Sequence, residues 1–371
     1  MVGIAGSHSS TSKRRRVNLR YILCVVVFLG ALWYSWWFSR IISQLTSPAH
    51  AHSVSPPDSL SHETAASPKH NGMSSCLLVM DDNHFLIEWI AMHYHVLPLR
   101  YLVIAVDPRS QTSPDSILDR WTSPHYTDLT IVRWNDSDYM TKQELAEAES
   151  YVANYFGSTI GTNLIRHRAR QRMFYYKCMK HIKQAGRDWT LLTDSDEFLY
   201  INYQHAQQLP GRNPPPIHQP GSVRTFLEQE LAQSQHNLTS PCIQIPRIRF
   251  GGMPSTPREI RKHVPPFVDP THFLTLQWRK HSHPNDYGHN KISKVLVDVS
   301  RVPWEELQPV DSIHRPIRSM CGQRKLHIRK SQQVLVINHY LGSYEQFTFR
   351  DDSRKGKERS IEVSSMGAMS D

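Results

Sequence analysis

Within about thirty residues, Cys76 to Val106, the chain runs from one β-rich apolar segment through a helical period into another. Cys76-Leu-Leu-Val-Met80 is a short apolar run that ends in Asp81-Asp82, which suits a buried strand feeding a loop. Phe85, Ile87, Trp89-Ile90, Met92 and Leu97 then recur at helical spacing up to Pro98. After it, Tyr101-Leu-Val-Ile-Ala-Val106 is β-rich and ends in Asp107-Pro108. Strand, helix, strand at this length is a βαβ unit, and such units build parallel sheets whose sites lie at the strands' carboxyl ends. Thr130–Trp134 supplies a further strand, and a long helix follows through Arg166–Tyr176, whose five bases read as a solvated face or as a surface for an anionic substrate. An α/β fold is expected.

Composition matters first for charge. The formal net charge of +10 invites a nucleic-acid partner. Residues 1–42, however, hold Lys13, Arg14, Arg15, Arg16, Arg20 and Arg40 and no acid. Taking those six from the 43 Lys and Arg leaves 37 against 33 acids, so the remainder is nearly balanced and nucleic acid is not expected as a partner. Directly behind the basic cluster, Tyr21–Phe38 is 18 residues without a charge, roughly 27 Å as a helix, with Trp33, Tyr34, Trp36 and Trp37 at its far end. The basic side faces the cytosol by the positive-inside rule. The expected organisation is a cytosolic tail 1–20, a transmembrane anchor 21–38, a Ser/His/Pro-rich stem 39–72, a single lumenal domain 73–350 and a polar tail 351–371. A cleaved signal peptide is the alternative.

An oxidising lumen lets Cys76, Cys178, Cys242 and Cys321 form up to two disulfides, in any of three pairings. No C-x-x-C pair supports a cysteine zinc site. Asn135-Asp136-Ser137 and Asn237-Leu238-Thr239 are glycosylation sequons compatible with a glycoprotein.

The segment with most chemistry is Trp189-Thr-Leu-Leu-Thr-Asp-Ser-Asp-Glu-Phe-Leu199. Trp189–Thr193 reads as a buried strand, and Asp194, Asp196 and Glu197 gather where it ends. Three carboxylates within four residues repel one another, and holding them together needs a compensating cation. Hard divalent ions take carboxylate oxygens and keep positions open for phosphate, so an Asp-x-Asp turn suits a metal that bridges a diphosphate. A solvated acidic turn or helix N-terminus is the bland alternative.

These residues resemble the W-x-x-x-x-D-x-D-E-F stretch of metal-dependent glycosyltransferases of the family 92 type (the former domain of unknown function 23) and their family 2-like relatives. Glu88, Trp89 and His93 match that family's E-W-x-x-x-H helix, and His167–Cys178 matches the helix before the acidic motif. Lys294–Ser300 and Ile337–Phe347 resemble its late K-x-x-V and N-H-Y-x-x-S elements. The similarity covers about residues 76–350. It implies a GT-A (Rossmann-like) fold, a nucleotide-sugar donor, expected to be a UDP-sugar, and Mn2+ (or Mg2+). Asp194 and Asp196 would hold the metal and through it the donor diphosphate, and His339 would complete the metal shell. Asp107, at the end of the second strand, is the candidate to meet the uridine or ribose, with Asp81 and Asp82 as alternatives.

The expectation is a hexosyltransferase of the Golgi (or ER) membrane, single-pass type II, acting on a glycan or glycoprotein acceptor. An inactive carbohydrate-binding or chaperone module on the same fold is the runner-up. A sulfotransferase is disfavoured, because Asp81-Asp-Asn-His-Phe85 offers neither glycine nor lysine for a phosphate-cradling loop. No catalytic base is identified: Asp269 and Asp286 lie where acceptor contacts are plausible, without a motif around either. His281-Ser-His283 has the residue types to bind metal, but H-x-H in a polar loop reads more often as a solvated turn.

Overall fold

The structure, a computed structural model, describes residues 72–349 except for 123–127, 157–161, 209–213, 217–218, 233–239, 252, 263, 284–287, 311 and 323–332. The expected anchor 21–38, the stem, the C-terminal tail, Asp286 and the Asn237 sequon lie outside the described residues. Among the described residues no helix is long and apolar enough to cross a membrane.

Counting helices of seven residues or more, the elements run β1 (Met73–Val79), α1 (Asn83–Val96), β2 (Leu99–Val106), α2 (Asp115–Trp121), β3 (Thr130–Trp134), α3 (Lys142–Phe156), α4 (Thr162–Gln184), β4 (Trp189–Leu192) and β5 (Glu197–Ile201). Then come α5 (Ser222–Ala232), β6 (Cys242–Ile245), β7 (Arg247–Phe250), β8 (Lys294–Asp298) and β9 (Leu335–Tyr340). Six strands form one sheet in the order β3-β2-β1-β4-β8-β6, and three form a second in the order β5-β9-β7. β3, β2, β1 and β4 are mutually parallel, while β8 runs antiparallel to both β4 and β6. The expected α/β architecture with a parallel sheet is therefore present.

Every residue of β1, β4 and β8 is buried, as strands covered on both faces must be. Alternation along β1 feeds two cores. Leu77 and Val79 pack with Phe85, Leu86, Trp89 and Ile90 of α1, and Cys76 and Leu78 face Phe174, Tyr175 and Met179 of α4. α1 is helical because its apolar residues fall on one stripe, and it stops where Leu97 meets Pro98. Each large side chain that this stripe buries contributes about 2 kcal/mol.

Both disulfides form, and the structure resolves the pairing: Cys76 of β1 with Cys178 of α4, and Cys242 of β6 with Cys321. The first lashes the long helix to the centre of the sheet. The bases of α4 fit the expected solvated face only in part: Arg166 is exposed, whereas others are held by neighbouring segments. Arg170 is buried and pairs with Asp136, Arg166 pairs with Glu149, and Arg172 hydrogen-bonds the carbonyl of Val310. They tie the helix to its neighbours.

Candidate functional site

The acidic turn leaves β4, in the six-stranded sheet, and its last carboxylate opens β5, in the other sheet. Glu197 is thus a fully buried strand residue and not part of a solvated turn or helix start. Such a charge persists only if it is paired. Arg247 of β7 donates from Nη1 to Glu197 Oε1 at 2.7 Å, and Lys294 of β8 lies 3.0 Å from Oε2. The same Lys294 ammonium, itself fully buried, donates to Asp194 Oδ2 at 2.7 Å. The Asp194 amide closes the group by donating to Glu197 Oε2 at 3.0 Å.

Burial alone would raise the carboxyls of Asp194 and Glu197. Lys294, joined by Arg247 at Glu197, outweighs it and holds both below the usual range. Conversely, burial would lower Lys294, and the two carboxylates hold its ammonium above its ordinary value. Nearby His314, which bonds the carbonyl of Ser293 through Nδ1 at 2.8 Å, is pushed far down by burial and by these cations.

Asp196 is buried beside the network, and its backbone carbonyl accepts from the amide of Tyr340 at 2.8 Å. The antiparallel ladder of β5 with β9 sets Glu197 opposite His339, and the parallel ladder of β7 with β9 sets Arg249 there as well. His339 Nε2 lies 3.5 Å from Asp196 Oδ2. Its Nδ1 is 3.8 Å from Glu197 Oε1, buried and without a hydrogen-bond partner among the described residues. Ligand atoms of Asp196, Glu197 and His339 all fall within 4.8 Å of one another.

Two carboxylates and an imidazole nitrogen that makes no hydrogen bond are a donor set suited to a hard divalent ion such as Mn2+ or Mg2+. Both Glu197 oxygens are engaged by cations, so Asp196 and His339 are the members best able to ligate. Asp194, expected to share that task, spends Oδ2 on Lys294. Its side chain stays 33% exposed, and Oδ1 accepts no hydrogen bond among the described residues. Of the three expected metal residues, Asp196 and His339 are thus brought together with Glu197, and Asp194 adjoins them through Lys294.

α1 holds this place from behind. Trp89 donates its indole N–H to the carbonyl of Glu197 at 2.9 Å. His93 donates from Nδ1 to the Trp89 carbonyl at 2.8 Å and accepts the Leu199 amide at Nε2, 3.2 Å away. Glu88 reaches Thr275. Full burial pushes His93 down to about 4, so its imidazole is neutral.

Asp107 lies elsewhere on the same edge, where β2 ends. It is fully buried and held by Arg109 Nη2 at 2.9 Å and His167 Nδ1 at 3.1 Å. Burial would raise its carboxyl, but these partners hold it well below the ordinary range. With Ser110, Thr112, Arg133, Asn135 and Lys142 it lines a cavity of about 700 Å³ between the ends of β2 and β3. Two strand spacings, about 10 Å, separate β2 from β4. Asp81, in the left-handed conformation at φ 57°, props the cavity's near wall from behind. Its Oδ1 accepts from the Ser110 hydroxyl, the amides of Gln111 and Thr112, and the Thr112 hydroxyl, at 2.7–3.1 Å.

Asp269 is exposed and bonded to Thr271. His281, expected in a solvated turn, instead bridges Phe250 beside β9. Sequence reasoning missed Arg247. Its signal was available: Arg247-Ile-Arg249 puts two bases at alternate positions of an otherwise β-like segment, where the buried face demands a carboxylate partner.

No protein-family model matches the chain, and no curated protein matches it. Solved structures with partial likeness include the mannosyltransferase Ktr4p of S. cerevisiae in complex with GDP, at 10% identity and a TM-score of 0.31 over 69% of this chain and 65% of that one. Core-mannan synthase A (CmsA/Ktr4) of Aspergillus fumigatus in its Mn/GDP form is matched at 8% identity and a TM-score of 0.26, over 65% and 62%. The chain thus spans a little under two thirds of the length of either. Scores of this size leave the functional reading to the residues themselves.

Proposed function

We propose that the chain is a metal-dependent glycosyltransferase of GT-A architecture. It moves a hexose from a nucleotide-sugar donor, expected to be a UDP-sugar, to a glycan or glycoconjugate acceptor in the secretory pathway. The observation that carries the reading is the convergence of Asp196, Glu197 and His339, with Asp194 joined to them through Lys294, where β4 leaves the carboxyl edge of a parallel sheet, the edge at which such folds bind ligands.

Asp196 and His339 are the residues to hold Mn2+ (or Mg2+), which when bound offsets the charge that grows on a departing nucleoside diphosphate. The cavity walled by Ser110–Ser113, Arg133 and Asn135 has the size of a small-ligand site and takes the nucleoside. Its place on the same edge lets one nucleotide reach from cavity to acidic turn. Asp107 acts there through Arg109 and His167, since its own oxygens are spent on them. The segment Tyr21–Phe38 anchors the enzyme in the Golgi or ER membrane as a single-pass type II protein.

The purified protein with Mn2+, screened against UDP- and GDP-sugars, is expected to release nucleoside diphosphate from at least one donor. Asp196→Asn and His339→Ala are each expected to lose at least a hundredfold in kcat, and chelator is expected to abolish turnover. Absence of release from every donor, or full activity in both variants, refutes the reading.

A further inference from the structure

Three carboxylates crowd the turn, and repulsion among them is ordinarily relieved by the metal they bind. Here another source of relief is built in. Lys294 touches two of them and Arg247 touches one, and both cations are buried among them. Two fixed positive charges against three negative ones leave one net negative charge. Arg249, buried on the rung beside His339, brings a third cation close. These bases come from β7 and β8, strands of different sheets, so the contacts staple the two sheets together at the acidic turn.

We propose that Lys294, seconded by Arg247, is a resident counter-ion and a positioning residue that assembles the acidic site before any metal arrives. Metal therefore binds productively only together with a nucleoside diphosphate, whose negative charge makes up what the cluster lacks. The inference rests on the glycosyltransferase reading for the identity of that co-ligand. The assembly of the site without metal does not depend on it.

Two consequences separate Lys294 from an ordinary structural lysine. The folded protein needs no metal for its stability, and removing the ammonium hands its task to a divalent cation. The surrounding geometry supports this division: the Asp194 amide on Glu197, the Tyr340 amide on the Asp196 carbonyl and the indole of Trp89 on the Glu197 carbonyl all fix the turn through backbone contacts.

The test compares thermal melting of the full-length protein in EDTA and in Mn2+, and calorimetric binding of Mn2+ alone and with UDP or GDP. For the wild type, melting is expected to be the same in both conditions, and Mn2+ alone is expected to bind at least about tenfold more weakly than with diphosphate. Lys294→Met, which keeps the chain volume and deletes the charge, is expected to melt roughly 10 °C lower in EDTA. It should recover much of that loss in Mn2+ and bind Mn2+ alone about tenfold more tightly than the wild type. Lys294→Arg, which keeps the charge, is expected to retain metal-independent melting.

If Lys294→Met does not fold in EDTA, its folding in Mn2+ supports the proposal, and failure in both overturns it. A wild type whose melting temperature falls in EDTA, or a Lys294→Met protein indifferent to Mn2+, also overturns it. These outcomes are distinct from failure of the glycosyltransferase reading, which is scored by donor turnover in the wild type and leaves the melting curves where they are.

Discussion

His93 makes the fold sensitive to mild acid, and the effect can be worked out from its surroundings. The imidazole is fully buried, donates from Nδ1 to Trp89 and accepts the Leu199 amide at Nε2. Protonation would turn Nε2 into a donor aimed at another donor and place a charge that no carboxylate among the described residues compensates. Burial accordingly pushes its pKa down to about 4, against about 6.5 in an unfolded chain. Between those values the unfolded chain binds a proton that the folded protein refuses, so stability falls as the pH falls through this window. The loss is complete below about 4. At 1.36 kcal/mol per unit, the shift removes about 3 kcal/mol, a large part of a typical stability of roughly 5–15 kcal/mol.

Urea unfolding followed by tryptophan fluorescence at pH 7, 6, 5 and 4 reads it directly. With m near 3 kcal/mol/M, the midpoint should move by about 1 M over the window beyond what His93→Gln shows. His314, also pushed down by burial, contributes in the same direction to both proteins and cancels in the difference. His93→Gln should be the less stable protein at pH 7 and the flatter one in acid. Parallel pH profiles for the two proteins would refute the reasoning.

Other outcomes follow from single contacts. Trp89→Phe leaves the Glu197 carbonyl without its indole donor and should cost about 1–2 kcal/mol in urea unfolding, with β5 losing amide-exchange protection before β1 does. Replacing both Cys242 and Cys321 with Ser reopens a loop of sequence separation 79, worth about 4 kcal/mol in the chain-entropy account, and should lower the melting temperature by roughly 10 °C. Asp81→Ala releases the loop through Ser110, Gln111 and Thr112 that walls the cavity. Steady-state kinetics should show the donor KM rising severalfold while kcat stays within about twofold.

The opening βαβ unit was legible because apolar runs and a helical period mark it, and β1, α1 and β2 stand within a few residues of where those patterns lie. The acidic turn was legible as a cluster of charge. Its division between two sheets was not, because Glu197 begins a strand with a charge that period-2 patterning assigns to solvent. The distant Arg247 and Lys294 make that burial tolerable. Glu88, Trp89 and His93 stood out as a matching motif with no meaning attached. In the folded protein, Trp89 and His93 grip β5 from the far side of the core, a contact between residues more than a hundred apart. Disulfide pairing was equally closed to inspection, since four cysteines allow three pairings and only the fold brings Cys76 to Cys178. The partners of the basic run on α4 were hidden for the same reason: Asp136, Glu149 and Val310 lie on three separate segments.

The ladder between β5 and β9 pairs Glu197 with His339 although the whole stretch from Asn202 to Val334 separates the two strands in the chain. What fixes the distance between these two groups is hydrogen-bond register, and the length of the connecting chain does not enter. A doubling of an exposed loop costs only about 0.6 kcal/mol in closure entropy. The exposed loops between those strands, as distinct from β6, β7 and β8 with the Arg247 and Lys294 they carry, can therefore lengthen, shorten or change composition while the rung stays where it is, whereas a slip of one residue in the ladder would turn His339 to the opposite face. The loops free to vary and the pair that must not move are thus kept apart by topology, so a change in those loops leaves the spacing of Glu197 and His339 intact.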